Sequence, residues 1–193
     1  MTVTVSTDMV KTLRARTGAG VMDCRRAIEE ARGDLDAAAE LLKTKGLAAA
    51  AKRAGRAASE GIVESYVHPG NRLGALVEVN CETDFVARTD EFKTLARELA
   101  MQIAASAPRY LSRDDVPADE VAQQRAALAS ETPGASEAEL DRRMAMWFAE
   151  AALLEQPYIR DAGRRIGEMI TDTIARTGEN IQIRRFARFK LGE

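Results

Sequence analysis

The feature that most constrains the fold is a change in hydrophobic period near residue 61. Before that point apolar residues recur at helical spacing, whereas Ile62–Val67 and Leu73–Asn80 alternate as strands do. His68–Asn71 is a turn-forming sequence, so the two strands should form a hairpin. Because an isolated hairpin is only marginally stable, we expect Ile181–Lys190 to add a third strand. The sequence therefore predicts an α+β fold, with a small three-stranded antiparallel sheet packed by helices.

Residues 1–46 predict a separate module of three short helices. Gly18–Gly20 separates the first two helices, Gly33 ends the second, and Gly46 is expected to end the third. The predicted inner stripe of the second helix consists of Val21, Cys24, Ile28 and Ala31. The next segment, 47–60, is basic and rich in alanine. It is either a solvated helical linker, which is our prediction, or a docking helix.

The remaining residues, 61–193, are predicted to form the core of the protein. A helix follows the strand hairpin and is closed by Pro108. A short helical hairpin then covers about 117–155, with Trp147 and Phe148 on its inner face. Asp161 is expected to cap the last helix, which ends at Gly178.

An unusual pair of residues lies where the second strand gives way to the next helix. Asp84 and Phe85 stand together in what should be a tight exposed turn, a place that small or polar residues normally occupy. A phenylalanine at such a position is either packed back into the core or offered to a partner. The residues alone leave both interpretations open.

Composition argues against several classes of function. The net charge of -2 excludes a globally basic nucleic-acid binder, although it allows a local basic patch. The chain has one histidine, His68, and two distant cysteines, Cys24 and Cys81, which we predict to be buried thiols. We therefore expect no metal site, no cofactor and no covalent catalysis. No apolar run is long enough for a membrane span and Met1–Asp8 lacks a signal-peptide pattern, so we predict a cytoplasmic protein without a membrane partner.

Three segments resemble, in the same order, the signatures of the bacterial elongation factor Ts family of translation factors. They are Leu13–Cys24, Glu78–Ala87, and Gly178–Ile181 followed by Arg184 and Arg185. The resemblance covers essentially the whole chain. Its length and Leu154–Pro157 resemble the short form of the family, in which the predicted helical hairpin replaces a longer coiled-coil insert.

The resemblance implies both a fold and a function. The implied fold is a three-helix module like a ubiquitin-associated (UBA) domain, then a linker and a dimerisation-type core. The implied function is guanine nucleotide exchange on elongation factor Tu, by binding its GDP-bound form and promoting release of GDP and magnesium so that GTP can rebind. The partner is thus elongation factor Tu, GDP-bound or nucleotide-free, without direct contact to nucleic acid. Short forms resemble dimers, and an exposed sheet edge would allow a homodimer.

The same resemblance assigns the residues that bind the partner, which are Arg14, Val21, Met22, Asp84, Phe85, Val86 and Gln102. Phe85 would act as a wedge between elements of the GTPase, and Asp84 would disturb polar contacts around its magnesium ion. Met22 is expected to be an exposed docking side chain, although a surface methionine is often incidental. The family often carries histidine where this chain has Gln102, whose amide can still hydrogen-bond.

Two other classes of function fit parts of the sequence. An RNA-binding module would use Phe186 with the basic residues of the last strand, which otherwise form a solvated face. The negative net charge and the lack of an RNP-like motif oppose that interpretation. A scaffold would use the three-helix module to bind ubiquitin-like partners, and the match over Glu78–Ala87 opposes it.

Overall fold

The computed structural model describes residues 4–193 and confirms the α+β class. Residues 1–3, where the predicted module and the segment tested for a signal peptide begin, lie outside the described residues. The helices are α1 (Thr7–Thr17), α2 (Val21–Glu30), α3 (Leu35–Arg53), α4 (Asp84–Ala87), α5 (Asp90–Ser106), α6 (Ala118–Glu131), α7 (Glu137–Ala151) and α8 (Ile166–Thr177). The strands are β1 (Glu60–Val67), β2 (Leu73–Cys81), β3 (Pro157–Tyr158), β4 (Asp161–Arg165) and β5 (Ile181–Lys190). Among these residues, no helix combines the length and the apolar composition needed to cross a membrane.

The main sheet has the predicted three antiparallel strands, in the order β1-β2-β5. In its central strand, β2, buried and exposed side chains alternate as the sequence predicts. Ala75, Val77 and Val79 are buried, whereas Leu76 between them is exposed. The third strand adds Ile181 and Ile183 to the buried residues. One face of the sheet therefore carries a large part of the apolar core.

The chain before the last helix differs from the prediction. Asp161 does not cap α8 but begins β4, which pairs antiparallel with β3. The physical reason is local, because the carboxylate of Asp161 accepts a hydrogen bond from the N–H of Gly163 (3.1 Å). The helix begins at Ile166, whose N–H donates to the carbonyl of Gln156 (3.1 Å).

The first three helices pack around a small core of their own, made of Leu13, Cys24, Ala27, Ile28 and Ala38. Two expectations about them are wrong. Val21, the first residue of α2, is 50% exposed and lies outside this core. Helix α3 continues through Gly46 to Arg53, since the alanines that follow the glycine favour helix.

The chain divides into two compact units. The first contains the residues through Gly61 together with Asn80–Phe92 and Ile170–Gln182, and the second contains the other segments. The proposed boundaries at 46 and 60 stay a prediction. In the second unit α6 and α7 form the predicted helical hairpin, tied by Arg125, which bonds to Asp141 (2.8 Å) and also to Glu137.

Two aromatic residues of this hairpin lie nearer the surface than predicted. Trp147 and Phe148 are half-buried rather than core residues. The guanidinium carbon of Arg109 lies 5.8 Å from the centroid of the Trp147 ring. That of Arg113 lies 4.8 Å from the centroid of the Phe148 ring. These cation–π contacts cover part of each ring.

Candidate partner-binding site

Phe85 lies on α4, the one-turn helix between β2 and α5. Its side chain is 77% exposed, whereas the next two residues, Val86 and Ala87, are each only 6% exposed. The interpretation that Phe85 packs back into the core is therefore wrong. The turn buries its small apolar residues and presents its largest apolar side chain to solvent, where it is accessible to a partner.

Hydrogen bonds fix both ends of this turn. Thr83 is the N-cap of α4, and its hydroxyl accepts a hydrogen bond from the N–H of Val86 (3.4 Å). At the other end the hydroxyl of Thr89 donates to the carbonyl of Val86 (2.8 Å) and accepts from the N–H of Phe92 (3.3 Å). Phe85 thus stands on a short segment that is capped on both sides.

A carboxylate from a distant part of the chain holds the residues before α4. The side chain of Glu179 accepts hydrogen bonds from the N–H groups of Glu82 (3.1 Å) and Thr83 (3.0 Å) through Oε2. Its Oε1 accepts from the hydroxyl of Thr83 (2.6 Å). The start of the turn is therefore tied to the segment between α8 and β5.

The return contact runs in the opposite direction. The carboxylate of Glu82 accepts a hydrogen bond from the N–H of Asn180 (2.6 Å) and lies 3.4 Å from a guanidinium nitrogen of Arg56. The buried side chain of Asn180 donates to the carbonyls of Arg56 (2.8 Å) and Ala54 (3.4 Å). We call the set Arg56, Glu82, Glu179 and Asn180 the clamp.

Sequence reasoning gave no role to the residues of the clamp. Glu82, Glu179 and Asn180 all lie inside the segments that carry the family resemblance. Their side chains bond to backbone far away in the chain, and such pairing leaves no local periodic signal. The sequence therefore carries no local signal for the clamp beyond the presence of these residues in the resembling segments.

Asp84 is exposed beside Phe85 and forms an ion pair with Arg88. Its Oδ2 lies 2.6 Å from Nη2 of Arg88, one helical turn later, and the two side chains are 60% and 79% exposed. An exposed pair of this kind contributes only about 0–1 kcal/mol. The carboxylate of Asp84 is thus held loosely enough to exchange Arg88 for another partner.

The strand that leads into the turn ends at a buried thiol. Burial, and next the negative charge of Glu179, raise the pKa of Cys81 to about 11. Its Sγ donates to the carbonyl of Thr83 (3.1 Å). Cys24 is buried as well, so both thiol predictions are confirmed. Within residues 4–193 no cluster of three His, Cys, Asp or Glu side chains is placed to hold a metal ion.

A second exposed surface lies at the start of α2. Val21 and Met22 are 50% and 61% exposed, and Arg14 on α1 is exposed as well. The link between these helices passes through Gly18, which has φ 69° and whose N–H donates to the carbonyl of Arg14 (2.8 Å). A Cβ at Gly18 would lie 2.9 Å from the guanidinium of Arg176, which pairs with Glu91. The three predicted docking residues therefore belong to the same compact unit as Asp84 and Phe85.

Two residues predicted to touch a partner are buried instead. Val86 anchors α4, and Gln102 on α5 has no exposed surface. The Gln102 amide nitrogen donates to the Gln156 side chain (3.0 Å) and the Pro157 carbonyl (3.1 Å), and its oxygen accepts from the N–H of Ile159 (2.9 Å). In the free chain neither side chain is offered at the surface, because helix α5 turns the Gln102 amide inward and Val86 packs beneath α4. Direct contact of either residue with a partner stays a prediction.

The basic last strand is occupied with partners inside the protein. The guanidinium of Arg185 lies 2.7 Å from Glu78, and that of Arg184 lies 3.7 Å from the same carboxylate. The Arg188 side chain is only 15% exposed and donates to the carbonyl of Ala104 (3.0 Å), so it does not belong to a solvated face. These contacts offset part of the strand's positive charge and argue against its use for RNA.

An exposed aromatic on a braced turn is typical of a protein-binding surface. Comparisons with known proteins show the family to which the chain belongs. The family model described as Elongation factor TS matches residues 35–193. The Elongation factor Ts of Carboxydothermus hydrogenoformans is 52% identical over 98% of this chain and 90% of its own length. That of Syntrophomonas wolfei is 52% identical over 98% and 91%, and that of Anaeromyxobacter sp. (strain Fw109-5) is 50% identical over 98% and 89%. The chain belongs to the elongation factor Ts family of translation factors.

Proposed function

We propose that this chain is a guanine nucleotide exchange factor for elongation factor Tu and performs no covalent chemistry. The observation that carries the proposal is the exposure of Phe85 on a turn whose neighbours are buried and capped. Membership of the elongation factor Ts family, whose members act as exchange factors for elongation factor Tu, supports it. The exchange accelerates release of GDP and magnesium, after which GTP rebinds.

The thermodynamics of exchange explain why a rigid aromatic suits this task. A factor lowers the affinity of its partner for GDP only by binding the nucleotide-free form more tightly than the GDP-bound form. Phe85 supplies that difference by inserting between elements of the GTPase that close around GDP. A turn that is already fixed loses little conformational entropy on insertion, so more of the contact energy remains for displacing the nucleotide.

The carboxylate beside the wedge acts on the magnesium ion. Mg²⁺ requires near-octahedral oxygen ligands and tolerates small displacements poorly. Asp84, released from Arg88, disturbs polar contacts around the ion and thereby weakens the binding of GDP. The ion belongs to the partner throughout.

The surface formed by Arg14, Val21 and Met22 supplies affinity rather than displacement. An exposed methionine and valine at a helix start offer adaptable apolar contact, and Arg14 offers charge. Formation of a homodimer stays a prediction. Strands β1 and β5 are the edges of the main sheet, and an edge is where two copies can pair.

The test is release of a fluorescent GDP analogue from elongation factor Tu by catalytic amounts of the chain. Phe85→Ala should lower the exchange rate about tenfold or more while the fold is kept, because truncating a central aromatic costs about 2 kcal/mol of binding. Phe189→Ala is the matched control, since Phe189 is 69% exposed on β5. Equal losses in both variants, or unfolding of Phe85→Ala, would show that Phe85 is no wedge. A wild-type chain that leaves GDP release unchanged would refute the function itself.

A further inference from the structure

The carboxylate of Glu179 accepts hydrogen bonds from the residues that lead into the turn presenting Phe85. Both of its oxygens accept hydrogen bonds from Glu82 and Thr83, at 2.6 to 3.1 Å. A charged acceptor that collects two backbone N–H groups and a hydroxyl makes stronger bonds than a neutral one. These bonds fix two consecutive residues directly before the wedge.

The effect of Glu179 reaches Phe85 through Thr83. The Thr83 hydroxyl has a single proton, and it donates that proton to Glu179 (2.6 Å). Its oxygen then faces the N–H of Val86 with its lone pairs, as the N-cap of α4 requires (3.4 Å). Glu179 thus sets the orientation of the hydroxyl that begins the helix carrying Phe85.

The hydrogen bonds of the clamp run in both directions between the turn and the segment after α8. Glu179 holds the segment at Glu82 and Thr83, while Glu82 holds the opposite segment through the N–H of Asn180 (2.6 Å). Asn180, 2% exposed, bonds in turn to the segment that follows α3, through the carbonyl of Arg56 (2.8 Å). Because the contacts run in both directions, the direction in which α4 leaves β2 is determined at more than one point.

We propose that Glu179 is a positioning residue for nucleotide exchange, which acts by fixing the orientation of Phe85 through Thr83. This inference rests on the proposed function, because it assigns Phe85 the role of the wedge. In this role Glu179 acts through Thr83 and needs no contact of its own with the partner. Its role is to prevent the wedge from turning aside when it meets the GTPase, so that contact energy is used for displacement rather than for ordering the turn.

The first experiment measures exchange with a double-mutant cycle. Glu179→Gln replaces one accepting oxygen by an N–H₂ group that opposes the donors, and it should lower the exchange rate about tenfold. In a Phe85→Ala background the same substitution should lower it less than about twofold, because a residue that acts through Phe85 has no effect once Phe85 is gone. Glu40→Gln, which removes an exposed charge on α3, is the control and should match the wild type.

An undiminished tenfold loss in the Phe85→Ala background would overturn the proposal, since general loosening of the protein adds to other defects. Equal exchange by Glu179→Gln and the wild type would overturn it as well. Thr83→Val and Thr83→Ser provide a second pair if Glu179→Gln does not fold. The serine variant keeps the hydroxyl and should retain most activity, whereas the valine variant should lose about as much as Glu179→Gln.

The second experiment uses the free chain and needs no partner. Hydrogen exchange of the backbone N–H groups of Glu82 and Thr83 should be faster in Glu179→Gln than in the wild type by about tenfold, with the helices α1 and α2 unchanged. Unchanged protection at these two groups would refute the clamp even if exchange activity is high. The converse result is lost protection in Glu179→Gln, as expected, together with a wild-type chain that fails to accelerate GDP release. That pair of results would support the clamp and refute the proposed function.

Discussion

Replacement of Asp84 by alanine separates displacement of the magnesium ion from ordinary binding. In the free chain the carboxylate pairs with Arg88, at 2.6 Å, and both side chains are largely exposed. An exposed pair contributes about 0–1 kcal/mol, so Asp84→Ala should change the free energy of unfolding by less than about 1 kcal/mol. For a chain of this size that corresponds to a shift in Tm of roughly 3 °C or less.

The expected effect on exchange is larger and depends on magnesium. Loss of a hydrogen bond to a charged group costs about 1.5–3 kcal/mol, so GDP release with magnesium present should slow by roughly tenfold or more. With the ion chelated, the contact that Asp84 disturbs is already gone, and the loss should be only a few-fold. Stopped-flow release of a fluorescent GDP analogue at saturating factor, with and without chelator, measures both values.

Two variants complete the comparison. Arg88→Ala breaks the same ion pair but keeps the carboxylate, so it should retain exchange activity and show that the pair itself is not required. Phe85→Ala should be impaired in both conditions, because a steric wedge does not depend on the ion. If Asp84→Ala loses the same factor with and without magnesium, the residue is a plain interface contact and the reasoning about the ion is refuted.

Three further predictions follow from other parts of the structure. Gln102→Leu should lower the free energy of unfolding in urea by about 2 kcal/mol, because the N–H of Ile159 and the side-chain oxygen of Gln156 each lose a hydrogen bond to Gln102. An unchanged free energy of unfolding would contradict this. Met22→Ala should weaken binding to elongation factor Tu about fivefold in calorimetry without altering stability. Met146→Ala, equally exposed at 64%, is its control and should bind normally. Folding raises the pKa of Cys81 from 9.0 to about 11, so the folded chain keeps a proton that the unfolded chain loses. This contribution to stability is complete below pH 9 and disappears between pH 9 and about 11, and Cys81→Ala should flatten that part of the pH profile.

The sheet could be predicted from the sequence because its signal is local and repeats every two residues. Ala75, Val77 and Val79 are buried in the expected alternation. The β3–β4 pair could not be predicted in this way, since a two-residue strand has no period and Asp161 also suits a helix cap. The predicted end of α3 is wrong because a glycine usually ends a helix, whereas the alanines after Gly46 favour its continuation to Arg53.

The candidate site was predictable only where exposure follows from position. Phe85 stands at a junction whose shape demands a surface turn, and it is exposed. Gln102 and Val86 show the limit, because a family resemblance names positions without saying which way a side chain points. Both are buried, Gln102 in a fully bonded amide pair that only the folded chain brings together. The clamp was invisible for the same reason, since its partners are distant in the sequence.

The separation of Glu179 from the turn it holds has a consequence for how the protein is made. The two are 96 residues apart, and a ribosome produces Thr83 and Phe85 long before it reaches Glu179. Until then a nascent chain carries the aromatic side chain without its brace, and contacts of such long range form late in folding. We therefore expect prematurely terminated chains to be poor competitors for the GTPase. Competence for exchange would then be acquired only after the segment that contains Glu179 has been synthesised and has joined the turn.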